Sequence, residues 1–194
     1  MYHSLAVAIT SFLMKYMDDK TGSAAVITYG TELFLSAVVE TVIVLVIGCL
    51  SGYLTETVLF LLFFCPIRKL AGGFHASTYF LCTFIFSVYY GMLCFFVPKA
   101  FGVPQGIILA VSCAVILWLA PVEDSNKPIS REKAVQLRKK TKLVLAMEIA
   151  VLVLEECLCG IPDISAFLYY SFVSEGILLI LGQIKNAMRK EENV

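Results

Sequence analysis

Charged residues are scarce in this chain, 15% of 194 against 59% apolar, where a soluble domain carries about a quarter. So little charge cannot cover the surface of a soluble fold of this size, and that class is excluded. No stretch rich in proline, or in glycine and serine, separates one part of the chain from another, which leaves a single domain over residues 1–194 with short loops. An internal repeat is also lacking. Between Met1 and Lys20 there is no basic run ahead of an apolar core and no small-residue cleavage site, so a cleavable signal peptide is not expected there. The seven cysteines are odd in number and scattered through apolar segments, without the spacings of a disulfide framework or a metal site. Cys157 and Cys159 make only an isolated C-x-C pair, read as packing residues or incidental thiols. No metal, cofactor or nucleic-acid partner is expected.

What the chain does have is apolar length. A bilayer core of roughly 30 Å asks for about 20 apolar residues per helix, fewer where ends snorkel. Six segments qualify, two marginally: Leu33 to Leu50, Leu54 to Ile67, Thr78 to Val97, Val103 to Ala120, Leu143 to Leu158 and Ile164 to Ile184. The second is short and could be a half-span leading into a re-entrant loop. With both termini in the cytoplasm, every basic residue except Lys99 falls on the inner side, as the positive-inside rule requires, and an odd number of spans breaks that pattern. The expected fold is therefore all-α and integral to the membrane, six transmembrane helices over 33–184, N-in and C-in. Residues 185–194 form a cytoplasmic tail and residues 1–30 an interfacial segment. Tyr2 to Met17 in that segment is apolar around much of its circumference but too short to span, which suits an amphipathic helix lying along the inner interface. His3, within it, reads as an ordinary surface histidine.

This topology sorts the cysteines. Cys49, Cys94, Cys157 and Cys159 lie toward the outer face and Cys113 lies in mid-membrane, leaving Cys65 and Cys82 near the cytoplasm. Between them runs Arg68-Lys-Leu-Ala-Gly-Gly-Phe-His75. A nucleophilic thiol needs a base or a cation beside it, and histidine titrates in the right range. Only His75 is available. On an unbroken helix His75 and Cys82 would share a face but stand roughly 10 Å apart along the axis, so a pair requires irregular backbone folding back, for which Gly72 and Gly73 supply the freedom. Such backbone is tolerated at membrane depth when buried in protein or lining a wet cavity. Spacing alone leaves other roles open: a packing cysteine, a histidine satisfying a carbonyl, a tight Gly-Gly turn.

Arg68-Lys69-Leu70-Ala71-Gly72-Gly73-Phe74-His75-Ala76 followed by Cys82 resembles the signature of the accessory gene regulator protein B family. Pro121 through Asn126-Lys127-Pro128-Ile129 resembles that family's second, loop motif, and the likeness extends over nearly the whole chain. The resemblance implies a membrane cysteine endopeptidase that cleaves a quorum-sensing precursor peptide and helps close its ring as a thiolactone or lactone, working as a homodimer at the cytoplasmic face of the cell membrane. Catalysis carries over to Cys82 and His75, with Arg68, Gly72 and Gly73 as supporting motif positions. The partners implied are the precursor peptide, membrane lipid and a second copy of the chain.

The remaining charges are less specific. Glu40, Glu148 and Glu175 lie within spans, where ionisable groups usually face the bundle interior or a cavity; the depth of Glu148 and Glu175 argues against their orienting His75. Glu155 and Glu156 are expected to be hydrated near the outer end. Lys127, Arg138, Lys139 and Lys140 of the basic loop are candidates for holding an acidic peptide tail or anionic lipid, although the loop also serves topology alone. The competing function is a non-enzymatic membrane transporter or scaffold using the intramembrane glutamates.

Overall fold

The structure is a computed structural model, and it describes residues 2–16, 24–74, 76, 78–96, 105–123 and 130–192. Seven helices follow in chain order: α1 (Tyr2–Tyr16), α2 (Ala24–Leu50), α3 (Leu54–Ala71), α4 (Tyr79–Phe96), α5 (Gln105–Leu119), α6 (Arg131–Leu158) and α7 (Pro162–Glu192). Among the described residues there is no sheet, only one isolated parallel bridge between Gly72 and Val122. All six apolar segments expected from the sequence fall on helices α2 to α7. Three of these are long and apolar enough to cross a membrane: Ala24–Leu50, Tyr79–Phe96 and Pro162–Arg189. The other three fall short for visible reasons. Helix α5 has 15 residues, α3 carries Glu56, Arg68 and Lys69, and α6 carries the basic run from Arg131 to Lys142 and then Glu148, Glu155 and Glu156.

The N-terminal region differs from the expectation in two ways. Helix α2 begins at Ala24, inside the segment read as interfacial through residue 30, because Ala24 to Gly30 carries no charge or proline to stop it. Helix α1 lies against α2 with His3, Ala6 and Thr10, spaced three and four apart, on the contact face. Ala6 and Thr10 are buried there, and Thr28 Oγ1 donates to Thr10 Oγ1 at 3.2 Å. His3 is exposed, as expected of a surface histidine, but it has a partner: its Nδ1 lies 2.6 Å from Glu32 Oε1, and Tyr79 donates to the other carboxylate oxygen of Glu32 at 3.3 Å. Leu5, Phe12, Leu13 and Tyr16 stay exposed on the rest of α1.

Helix α3 is the hub. Phe60 and Phe64 pack with Val44 of α2, Phe86 and Tyr90 of α4 and Phe167 of α7, with ring centroids 5.1 Å apart for both Phe60–Tyr90 and Phe64–Phe86. On its other side Phe63, Ile67 and Ala71 join Ile116 of α5, Leu145 and Leu152 of α6, and Phe172 and Leu179 of α7. Tyr90 donates to Thr57, which donates to the Tyr53 carbonyl, while the buried Thr83 hydroxyl has no hydrogen-bond partner among the described residues. Outward-facing Val42, Val46, Phe80, Phe84, Val111 and Trp118 are exposed. Lipid is as apolar as these side chains, so cohesion comes from close packing between helices rather than from removing apolar surface from water.

Candidate active site

The α3–α4 connection is built from the end of α3. Gly72 stops the helix at φ +74 and Gly73 follows at φ +116, backbone that side-chain-bearing residues rarely adopt. Arg68, in the last turn of α3, folds forward so that its two terminal nitrogens donate to the carbonyls of Gly72 and Phe74. One rigid fork thus spans two loop carbonyls. The Ala71 carbonyl accepts from Val122 N at 2.8 Å, and Phe74 N donates to the Leu178 carbonyl of α7 at 2.8 Å. Room for the loop comes from Gly182, where a Cβ would stand 2.8 Å from Phe74 N and 2.9 Å from the Gly73 carbonyl carbon. One turn on, Lys185 Nζ lies 5.5 Å from the centroid of the Phe74 ring, within cation–π range. Glu175, Leu178, Gly182 and Lys185 recur at helical spacing, so one stripe of α7 faces this loop.

Cys82 enters from the opposite side, in the first turn of α4. Thr78 starts that turn, accepting from Leu81 N through its hydroxyl at 3.2 Å and from Cys82 N through its carbonyl at 3.1 Å. The thiol is half-buried, with the Ala76 backbone near it and Arg68, Lys185 and Glu40 within electrostatic reach. His75 itself lies outside the described residues, between Phe74 and Ala76. Cys65 sits exposed on α3 and has Glu40 and Glu175 as its charged neighbours, two carboxylates that disfavour a thiolate.

The second motif region docks onto the first. Its Ala120–Pro121 peptide is cis. The carbonyls of Trp118 and Ala120 accept from Arg138 of α6 at 2.9 and 3.0 Å, and the Glu123 carbonyl accepts from Asn186 of α7 at 2.7 Å. Arg138 is thus engaged in closing the end of α5, while Lys139 and Lys140 are exposed; Lys127 lies outside the described residues. Glu155 and Glu156 are not simply hydrated. Glu155 accepts from Ile161 N and Ser165, and Glu156 from Tyr169, fastening α6 to α7. Glu175 is fully buried with no hydrogen-bond partner for either oxygen among the described residues, yet Arg68 is within its electrostatic reach. Among the described residues no group of three or more histidine, cysteine or acidic side chains could hold a metal ion. A half-buried thiol beside a loop fixed by an arginine fork can attack a carbonyl once a base takes its proton.

The family model described as accessory gene regulator B matches residues 6–184, taking in both motif regions and Cys82. The chain belongs to that family. An AgrB-like protein of Clostridium perfringens strain SM101 is 24% identical over 152 residues, 74% of this chain and 71% of the relative. AgrB-like protein 2 of Clostridium perfringens strain 13 is 26% identical over 127 residues, 61% of this chain and 59% of that protein, so the match spans under two thirds of that protein's length. Protein FsrB of Enterococcus faecalis is 22% identical over 170 residues, covering 84% and 67% respectively. No solved structure matches. What this AgrB-family sequence hid was α7. Lys185 reads there as one more inner-side cation and Gly182 as one more glycine in an apolar helix; the spacing of Glu175, Leu178, Gly182 and Lys185 is the signal that marks the stripe.

Proposed function

We propose that this protein is a multi-pass membrane cysteine endopeptidase that cleaves an AgrD-like precursor peptide and promotes its cyclisation. The carrying observation is the loop at the end of α3, held by the Arg68 fork on the Gly72 and Phe74 carbonyls and by the bond from Phe74 N to Leu178, in the segment that leads through His75 to Cys82. In this mechanism His75 takes the thiol proton and Cys82 Sγ attacks the scissile carbonyl. Collapse of the tetrahedral intermediate breaks the C–N bond, His75 returns the proton to the departing amine, and a thioester joins the peptide to Cys82. A cysteine within the retained peptide then attacks that thioester, freeing Cys82 and leaving a thiolactone; a serine gives a lactone. The activated bond survives because a site at the membrane boundary limits water and holds the two reacting ends together. Arg68, Gly72 and Gly73 shape the loop.

The same proposal covers the setting: one domain with six spans, both termini inside, and a homodimer in the cell membrane with its site at the cytoplasmic face. Supporting it are the basic asymmetry of the loops and the six helices on the six apolar segments. Co-expression of the full chain with its precursor gene, followed by mass analysis, tests the reaction. The expected products are a free C-terminal tail and a cyclic peptide lighter than its linear acid by one water. Intact precursor beside normally inserted protein would overturn it.

Within the basic loop the proposal divides the labour. Exchanging Lys139 and Lys140 together for glutamine is expected to leave folding unchanged and slow processing several-fold at low salt, the deficit shrinking as salt screens the wild type. Arg138→Ala should instead lower thermal stability by about 1 kcal/mol, by freeing two α5 carbonyls. Thermal unfolding and a salt series on the solubilised protein check both.

A further inference from the structure

Three residues of α7, Leu178, Gly182 and Asn186, recur at intervals of four, so they lie along one face of the helix over about 12 Å. The first two meet the loop at the end of α3. The Leu178 carbonyl accepts from Phe74 N at 2.8 Å, and Gly182 lies against Gly73 and Phe74 with no space for a side chain. The third reaches the other motif region, its Nδ2 donating to the Glu123 carbonyl at 2.7 Å. We propose that Asn186 is a positioning residue of the site, closing a ring of contacts that holds the loop leading to His75; this rests on the peptidase reading above. The ring runs from Asn186 to Glu123 and on to Val122, which pairs with Gly72 and whose N donates to the Ala71 carbonyl at 2.8 Å. From there it follows the loop to Phe74 and returns to α7 at Leu178. Val122 fits Gly72 closely, since a Cβ on Gly72 would run into the Val122 carbonyl oxygen. A shift of the segment 121–123 is therefore passed to the turn from which Phe74 and His75 follow. Arg138 holds that segment at its start, through the Trp118 and Ala120 carbonyls, and Asn186 holds its end. A carbonyl only accepts, so the contact needs a donor at position 186.

Asn186→Asp keeps the size of the side chain, removes the donor and sets a carboxylate against the carbonyl. In vesicles holding the full chain and its precursor peptide, it is expected to lower kcat for processing about five- to thirty-fold with KM within about twofold, since a displacement of about 1 Å in a catalytic group is worth on the order of a hundredfold. Asn186→Ala should behave alike. Asn186→Gln retains the donor on a longer stem and should stay within about threefold of the wild type. Hydrogen exchange, followed by mass without substrate, should quicken in the Asn186→Asp peptides carrying Phe74 and Val122 and keep the wild-type rate in those from α2 and α4. Wild-type kcat in both Asn186→Asp and Asn186→Ala overturns the proposal. So does Asn186→Gln as slow as Asn186→Ala, a rise in KM at unchanged kcat, or exchange that quickens equally across the bundle. If the wild-type protein leaves its precursor intact, the peptidase reading fails, and exchange at Phe74 and Val122 alone decides whether Asn186 holds the loop.

Discussion

Cys82→Ala is expected to abolish precursor cleavage, by about a thousandfold or more, while insertion into the membrane is unchanged. Removing a nucleophile leaves only positioning and electrostatics behind, and alanine fits a half-buried place at the start of α4 without strain. Cys65→Ala should cleave close to the wild-type rate, because Cys65 lies exposed on α3 with Glu40 and Glu175 as its charged neighbours among the described residues. Cys82→Ser separates a nucleophile from a packing residue: a hydroxyl attacks far more slowly, and any ester it forms resists hydroxylamine better than a thioester. With a precursor lacking its internal cysteine or serine, wild-type protein should accumulate a hydroxylamine-labile adduct on the peptide containing Cys82. Full processing by Cys82→Ala, or an adduct mapping to Cys65, refutes the assignment. His75→Ala should also be nearly silent, since the thiol then lacks its base.

Arg68→Lys should cost about ten- to a hundredfold in processing with little loss of folded protein. Lysine keeps the positive charge opposite Glu40 and Glu175, but an ammonium is a point donor and cannot span the Gly72 and Phe74 carbonyls as the guanidinium does. The loop carrying His75 would then rest on its bonds to Leu178 and Val122 alone, and a misplacement of about 1 Å in a catalytic group is worth on the order of a hundredfold. Arg68→Ala adds a second loss, since it removes the donors to the Gly72 and Phe74 carbonyls altogether, at about 1 kcal/mol for each bond. Processing rates in vesicles, set beside thermal unfolding midpoints, distinguish the two. A lysine variant with wild-type rates would mean that the backbone contacts to α7 and Val122 suffice.

The fold was legible wherever hydropathy carried the signal. Each apolar segment became a helix because backbone groups in lipid have no other partners, and Gly72 and Gly73 marked the break at the end of α3 that they do form. The pairing of the motif regions was not legible: the bond from Val122 to Ala71 joins two backbone groups, which every residue carries and no residue type advertises, and the Asn186 side chain reaches the Glu123 carbonyl from a helix 63 residues further on. His3 was missed because Glu32 stands one helix later, a separation that no periodicity reveals. Glu175 was recognised as an intramembrane acid, but its relation to Arg68 depends on how α3 and α7 pack, and that is set by Phe63, Phe172 and their neighbours rather than by either charge. Arg138 looked like one of a row of cations; only its reach to the end of α5 tells it from Lys139.

The fit of Gly182 against Gly73 and Phe74 also sets a clock on biosynthesis. The loop and Cys82 leave the ribosome well before α7, and at about 5–20 residues per second the interval is on the order of ten seconds. Throughout it the Phe74 amide has no Leu178 carbonyl to bind and Lys185 does not yet exist. The nascent chain therefore carries its thiol on an unfinished scaffold until α7 has been made.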